Sequence, residues 1–171
     1  MNTSWRIPLL FIGTIIMFVV MGKTSAPLKT TAKYKNIVYL ELAYNSEKAD
    51  DILKDWGSAN IEVAKINTYF DFIFIFCYAL FLYFTSEKAA RITNSKVGMS
   101  IARGTLWAGI LDIMENAGML ITLSGNGSDA VAFATAFCSA IKWVLVVIAV
   151  VYLLVVILQL LFNRKINLLF I

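Results

Sequence analysis

Four ionisable side chains lie inside long apolar stretches of the sequence: Asp71, Asp112, Glu115 and Lys142. An ionised side chain at the centre of a membrane helix costs about 2.5–3.5 kcal/mol by insertion scales. Such residues therefore face the interior of a helix bundle, where they pair with one another or meet water. We expect the four to form one intramembrane polar cluster.

Helical periodicity places other polar side chains on the same faces as these charges. Residues three, four or seven positions apart lie on one side of a helix, so each apolar stretch carries one polar stripe. Counting equal distances back from the turn near residues 124–129 puts Lys142 level with Asp112, which predicts an ion pair between them. The three stripes are Asn67, Asp71 and Tyr78; Asp112, Glu115 and Asn116; and Thr135, Cys138, Ser139 and Lys142.

The predicted cluster carries more acid than base. Three carboxyl groups face one ammonium group, so full ionisation leaves an excess of two negative charges. Such an excess is unfavourable where the dielectric constant is low. We therefore expect that a carboxyl keeps its proton, or that a cation, a cationic ligand or a water-filled opening supplies the balance. In an enzyme, a protonated Glu115 would be the candidate general acid.

The charge imbalance favours a semi-polar cavity that binds a small lipidic or cationic molecule. Two alternatives stay open: proton or cation transport by a homo-oligomer, and an accessory or structural subunit of a membrane complex. Polar side chains can also simply hold membrane helices together, at about 0.6 kcal/mol per contact. The candidate ligand-binding residues are Asp71, Tyr78, Asp112, Glu115, Asn116, Ser139 and Lys142.

Other kinds of chemistry have little support in the composition. The sequence has no histidine, and Cys77 and Cys138 lie in apolar stretches, where a thiol behaves as a small hydrophobe. We therefore predict neither a metal site nor a cofactor. The net charge of +4 arises from basic residues that are spread along the chain among acids, so we expect no nucleic-acid partner.

The composition indicates that the helices carrying these residues lie in a membrane. Hydrophobic residues make up 60% of the chain, charged residues make up 15%, and the mean hydropathy is +0.76. Soluble domains are about 45–50% apolar and about 25% charged. The predicted fold is an all-α membrane protein, a four-transmembrane-helix bundle with a short amphipathic helix in its first extramembrane segment.

The apolar stretches define one transmembrane domain over residues 1–171. The spans are predicted at about residues 7–22, 67–84, 103–123 and 135–162, with residues 23–66 outside the membrane. The first stretch also fits a cleaved signal peptide, but no small-x-small cleavage pattern follows it, so we favour a retained helix. The last apolar stretch exceeds the roughly 30 Å that a bilayer core requires, so we expect tilt, a kink or a projecting end.

The extramembrane segments carry their own helix signals. Ser46 is the expected cap of an amphipathic helix over residues 46–56, which Gly57 ends and which could cover the cavity as a lid. Residues 37–44 suggest a second short helix, with Glu41 near the edge of the bilayer. Residues 85–96 are predicted to form a polar loop between the second and third spans.

Basic residues set the predicted orientation. Arg6, the basic loop at residues 85–96, and the pair Arg164 and Lys165 all lie on one side in a four-span topology. Cytoplasmic loops are enriched in lysine and arginine. The sequence therefore predicts an inner-membrane protein with both termini in the cytoplasm.

Several short motifs also suggest a family. They are Leu40-Glu41-Leu42-Ala43, the stretch 46–56, Asp71-Phe72 with Tyr78, and Asp112 with Glu115-Asn116. In these features the chain resembles a group of small, functionally uncharacterised four-helix bacterial integral membrane proteins. The resemblance covers most of the chain, and it implies a fold and draws attention to the acidic positions without implying a substrate.

Overall fold

A computed structural model describes residues 5–162, without the side chains of residues 30 and 31. Within this range the chain is all-helical, has no strand, and contains four long apolar helices. A π-helical turn, Thr122–Asn126, lies between the last two of these four helices. The helices are α1 (Arg6–Thr24), α2 (Ala26–Thr31), α3 (Val38–Glu41), α4 (Ser46–Ile92), α5 (Lys96–Ile121) and α6 (Asp129–Phe162).

The long helices α1, α4, α5 and α6 are each long and apolar enough to cross a membrane. Helix α1 packs on α4, α4 packs on both α5 and α6, and α5 packs on α6. Cross-helix contacts show that α1 and α4 run antiparallel. The Phe11 ring lies 5.4 Å from the Phe81 ring, and Asn67 Nδ2 donates to the Met21 carbonyl oxygen at 2.9 Å.

Helix α5 runs antiparallel to both of its neighbours. Near the middle of the helices, Asp112 contacts Tyr78 on α4 and Lys142 on α6. Closer to the first residue of α5, Gly98 lies against Tyr152, and an added Cβ would stand 2.6 Å from the tyrosine Cζ. The absence of a side chain at Gly98 therefore lets α5 and α6 approach closely.

Helix α4 is longer than the sequence suggests. Its backbone is helical from Ser46 to Ile92 except at Gly57, where φ is +63° and ψ is 175°. The predicted amphipathic helix is therefore the first part of α4, separated from the rest by a kink at Gly57. Positive φ is unfavourable for residues that carry a Cβ, so glycine suits this break.

Two predictions at the ends of α4 were wrong. The capping side chain belongs to Asn45, whose Oδ1 accepts from the Lys48 backbone N–H at 2.8 Å, and not to Ser46. The predicted loop at residues 85–96 is helical as far as Ile92. The helix continues because alanine and serine side chains of its last turns are buried and an ion pair, Arg91 to Glu87 at 2.9 Å, supports its outer face.

Residues 26–56 form a cap over one end of the four long helices. The cap consists of α2, α3 and the first part of α4. Its buried apolar side chains include Leu28, Leu40, Ile52 and Trp56, and they pack together with Leu123 of the π-helical turn. The predicted apolar face of residues 46–56 is therefore turned toward the rest of the protein.

Helix α6 has helical backbone throughout its 34 residues. At 1.5 Å per residue it is about 50 Å long, well beyond the roughly 30 Å of a bilayer core. The helix has no break, so a kink does not account for the length in excess of the bilayer core. The pair Arg164 and Lys165, which entered the predicted orientation, lies outside the described residues.

Candidate functional site

Lys142 lies between two acids of α5. Its Nζ is 2.7 Å from Asp112 Oδ1 and 2.7 Å from Glu115 Oε2, and all three residues are buried. The predicted Lys142–Asp112 ion pair is therefore present. The contact with Asp112 has hydrogen-bond geometry, whereas neither carboxylate oxygen of Glu115 has a hydrogen-bond partner within residues 5–162. The close contact of Glu115 with the ammonium group is therefore that of an ion pair.

Polar side chains of α4 and α5 complete the contacts of the aspartates. Tyr78 Oη donates to Asp112 Oδ2 at 2.6 Å, and Asn116 Nδ2 donates to Asp71 Oδ2 at 2.8 Å. Asp112 is thus held by an ammonium and a phenol. Asp71 is only partly buried, and within the described part of the chain it has no ion-pair partner.

Glu41 joins the cluster from the cap, which the sequence did not reveal. Its carboxyl group is buried inside the protein, beside the Glu115 carboxyl and the Trp143 indole. Burial raises the pKa of Glu41, and the ammonium of Lys142 opposes that effect. The only available signal was the apolar setting of Glu41 between Leu40 and Leu42.

A cavity of about 610 Å³ lies beside this cluster, between α1, α4, α5 and α6. Residues 36–41 of the cap contribute to its wall, whereas the predicted lid, residues 46–56, does not. Phe18 of α1 and Trp143 of α6 both line the cavity and are substantially exposed. The cavity therefore opens to the protein surface between α1 and α6.

Five of the seven predicted site residues line this cavity, and two do not. Glu115 and Ser139 are fully buried behind the wall, and the Ser139 hydroxyl has no hydrogen-bond partner among the described residues. The rest of the wall is mainly apolar and aromatic. The predicted residues that line the cavity are Asp71, Tyr78, Asp112, Asn116 and Lys142.

The excess of acid over base is larger than the sequence suggested. With Glu41 added, four buried or partly buried carboxyl groups surround the one ammonium of Lys142, so full ionisation would leave a net charge of −3. Lys29 also lines the cavity but is solvent-exposed. Within residues 5–162 no three potential ligands are grouped closely enough to hold a metal ion.

The chain was compared with known proteins by sequence and by structure. Neither a protein-family model, nor a curated protein, nor a solved structure matches it. The resemblance to small four-helix bacterial membrane proteins therefore stays a prediction. The function of the cavity has to be inferred from its own residues.

Proposed function

We propose that the chain is a multi-pass inner-membrane protein in which α1, α4, α5 and α6 span the bilayer. Large apolar side chains cover the outer surface of these helices, among them Phe76, Val144 and Leu154. A surface of this kind is favourable in lipid and unfavourable in water. Basic residues gather at the end where α4 meets α5, which supports a cytoplasmic location for both termini.

We further propose that the cavity binds a small amphipathic cation. The observation that carries the proposal is Asp71, a partly buried carboxyl group that lines the cavity and lacks an ion-pair partner in the described range. Buried charges are normally paired. A cationic group in the cavity would pair with Asp71 and reduce the negative excess of the cluster.

The remaining wall suits the apolar part of such a ligand. Phe74, Phe81 and Val146 line the cavity together with the aromatic residues at its opening. Aromatic faces also attract cations, at about 0.5–2 kcal/mol per contact. Because the opening lies between two proposed membrane helices, a ligand dissolved in the bilayer can enter from the side. A lipidic amine has the required combination of charge and apolar surface.

Binding can be measured with dansylcadaverine, a primary amine attached to an apolar fluorophore. In lipid nanodiscs, energy transfer from tryptophan to the dansyl group reports occupancy, and empty nanodiscs give the background. We expect wild-type protein to bind dansylcadaverine more tightly than the neutral analogue dansylamide. We expect Asp71→Asn to weaken dansylcadaverine binding about tenfold or more, because hydrogen-bonded contacts to a charged group contribute about 1.5–3 kcal/mol.

The matched control is Asp50→Asn, which changes an exposed aspartate of the cap in the same way. This variant should bind dansylcadaverine as the wild type does. Equal binding of the charged and the neutral probe, or equal affinity of Asp71→Asn and wild type, would rule out a cation site at Asp71.

Proton or cation transport is the alternative function. It is suggested by the contiguous ionisable groups Glu41, Glu115, Lys142 and Asp112. An apolar cluster opposes it, because buried side chains of α4 and α6 pack together between Lys142 and the basic end of the helices. A single chain therefore offers better support for binding than for a transmembrane path.

A further inference from the structure

Glu41 is a buried acceptor that faces the cavity. Its side chain is more than nine-tenths buried, and its Oε2 has no hydrogen-bond partner within the described residues. A buried carboxylate oxygen without a partner costs about 1–3 kcal/mol or more. Because Glu41 also lines the cavity, a hydrogen-bond donor placed there could satisfy this oxygen.

Helix α3, which carries Glu41, packs against α4, α5 and α6. Each of these three helices has charged or titratable side chains near Glu41. Helix α4 contributes Asp71 and Tyr78, which line the same cavity. The remaining groups are Asp112 and Glu115 on α5 and Lys142 on α6. Lys142 already forms ion pairs with both acids of α5. Glu41 would therefore be a third acid that depends on the same positive charge.

This distribution of charge favours a proton on Glu41 while the cavity holds no cation. An ionised Glu41 would stand next to the carboxyl of Glu115 and would share the single ammonium of Lys142 with two other acids. Two carboxyl groups side by side do not both ionise readily. A bound ammonium changes this balance, because it supplies both a positive charge and N–H donors.

We propose that Glu41 is the second anchor of the ligand, that it takes an N–H bond from a primary ammonium group, and that binding releases one proton from Glu41. This inference rests on the proposed cation site and names the ligand class more closely, as a lipidic primary amine rather than a quaternary ammonium compound. The step is balanced: the protonated carboxyl and the alkylammonium become a carboxylate–alkylammonium pair, and one proton passes to the solvent.

The sign of the pH dependence follows from this exchange. Below the pKa of Glu41 the ligand must displace a proton, so its apparent affinity rises with pH. Release of one proton gives a rise of about tenfold per pH unit, which levels off above that pKa. An alkylamine with an ordinary pKa of about 10 stays charged between pH 5 and 8, so the probe itself adds no slope.

The decisive measurement on wild-type protein is a proton count. Calorimetric titration of dansylcadaverine into protein-loaded nanodiscs, at one pH in two buffers of different ionisation enthalpy, gives the number of protons released on binding. We expect a value close to one. The trimethylammonium derivative of dansylcadaverine has no N–H donor, and we expect it to bind about tenfold more weakly and to release fewer protons.

Two variants assign the proton to Glu41. Glu41→Gln has no carboxyl group to titrate, so it should lose the pH slope and the preference for the primary amine. Glu47→Gln changes an exposed glutamate at the start of α4 and should keep both. Should Glu41→Gln fail to fold, a proton count of zero on wild-type protein would still contradict the role of Glu41.

The outcomes separate this inference from the proposed function. If the protein binds dansylcadaverine without releasing a proton, or if Glu41→Gln keeps the full slope, the role of Glu41 is wrong and the cation site at Asp71 stands. If wild-type protein binds neither charged probe at any pH from 5 to 8, both proposals fail.

Discussion

At the scale of single residues, the centre of the site is an ammonium group shared by two acids. Lys142 lies 2.7 Å from each of Asp112 and Glu115, and all three residues have very little exposed surface. Taking charges out of water is expensive, and only close pairing offsets that cost. The two acids therefore depend on one ammonium group, and the loss of Lys142 would leave buried carboxylates without compensation.

Lys142→Met should lower the free energy of unfolding by about 3–5 kcal/mol, because it removes the positive charge and leaves two buried acids. Adding Asp112→Asn should recover part of this loss, which makes the two substitutions strongly non-additive. Denaturant titration in detergent micelles measures both effects. Lys65→Met, which removes an exposed ion pair with Glu62, is the control and should cost less than about 1 kcal/mol. Additive effects of the two buried substitutions would contradict the coupling.

At the scale of the helices, close approach of α5 to its neighbours depends on small side chains. Gly98 faces Tyr152, and an added Cβ would also come within 2.9 Å of Ala90 Cβ. Neither neighbour can move easily, since one is a rigid ring and the other a short side chain on a packed helix. A larger side chain at Gly98 would therefore push α5 away from both α4 and α6 at this end.

Gly98→Ala should destabilise the protein by about 1–3 kcal/mol, because forced overpacking costs this much in a well-packed interior. The matched control is Gly22→Ala in α1, where an added Cβ meets nothing within 4 Å. That variant should be neutral or up to about 1 kcal/mol more stable, since alanine favours a helix over glycine. Denaturant titration of both variants checks the contrast, and equal destabilisation would show that packing at Gly98 is not the cause.

The helices also show how far the sequence could predict this structure. Counting helical positions from one tight turn was sufficient to pair Lys142 with Asp112, because both residues lie on adjacent helices joined by that turn. Glu41 could not be placed in the same way, since its position depends on how α3 packs on three other helices. The end of α4 was missed because polar residues at 85–96 suggest a loop, whereas burial of one face keeps residues up to Ile92 helical.

At the scale of the whole molecule, polar and apolar layers follow one another along the helices. The cap covers one end, and the acidic cluster lies between the cap and the middle of the helices. Buried apolar side chains of α4 and α6, such as Leu82, Leu153 and Val156, pack between that cluster and the basic end. The cavity therefore stands on one side of an apolar layer.

This layering predicts that the protein does not conduct protons. Proteoliposomes with an imposed pH gradient should dissipate it no faster than empty liposomes, as followed with an entrapped pH-sensitive dye. Gramicidin serves as the positive control for a conducting membrane. A leak that appears with wild-type protein and vanishes with Asp112→Asn would instead favour transport and displace the binding proposal.

The hairpin of α5 and α6 also bears on how the protein is made. Asp112, Glu115 and Lys142 all belong to it, so the ammonium group and both of its ion-pair partners lie on two consecutive helices. Glu41 and Asp71 are synthesised earlier, and among the described residues neither forms an ion pair within its own half of the chain. These two acids therefore gain the ammonium of Lys142 as a neighbour only after the C-terminal hairpin has packed beside the N-terminal half.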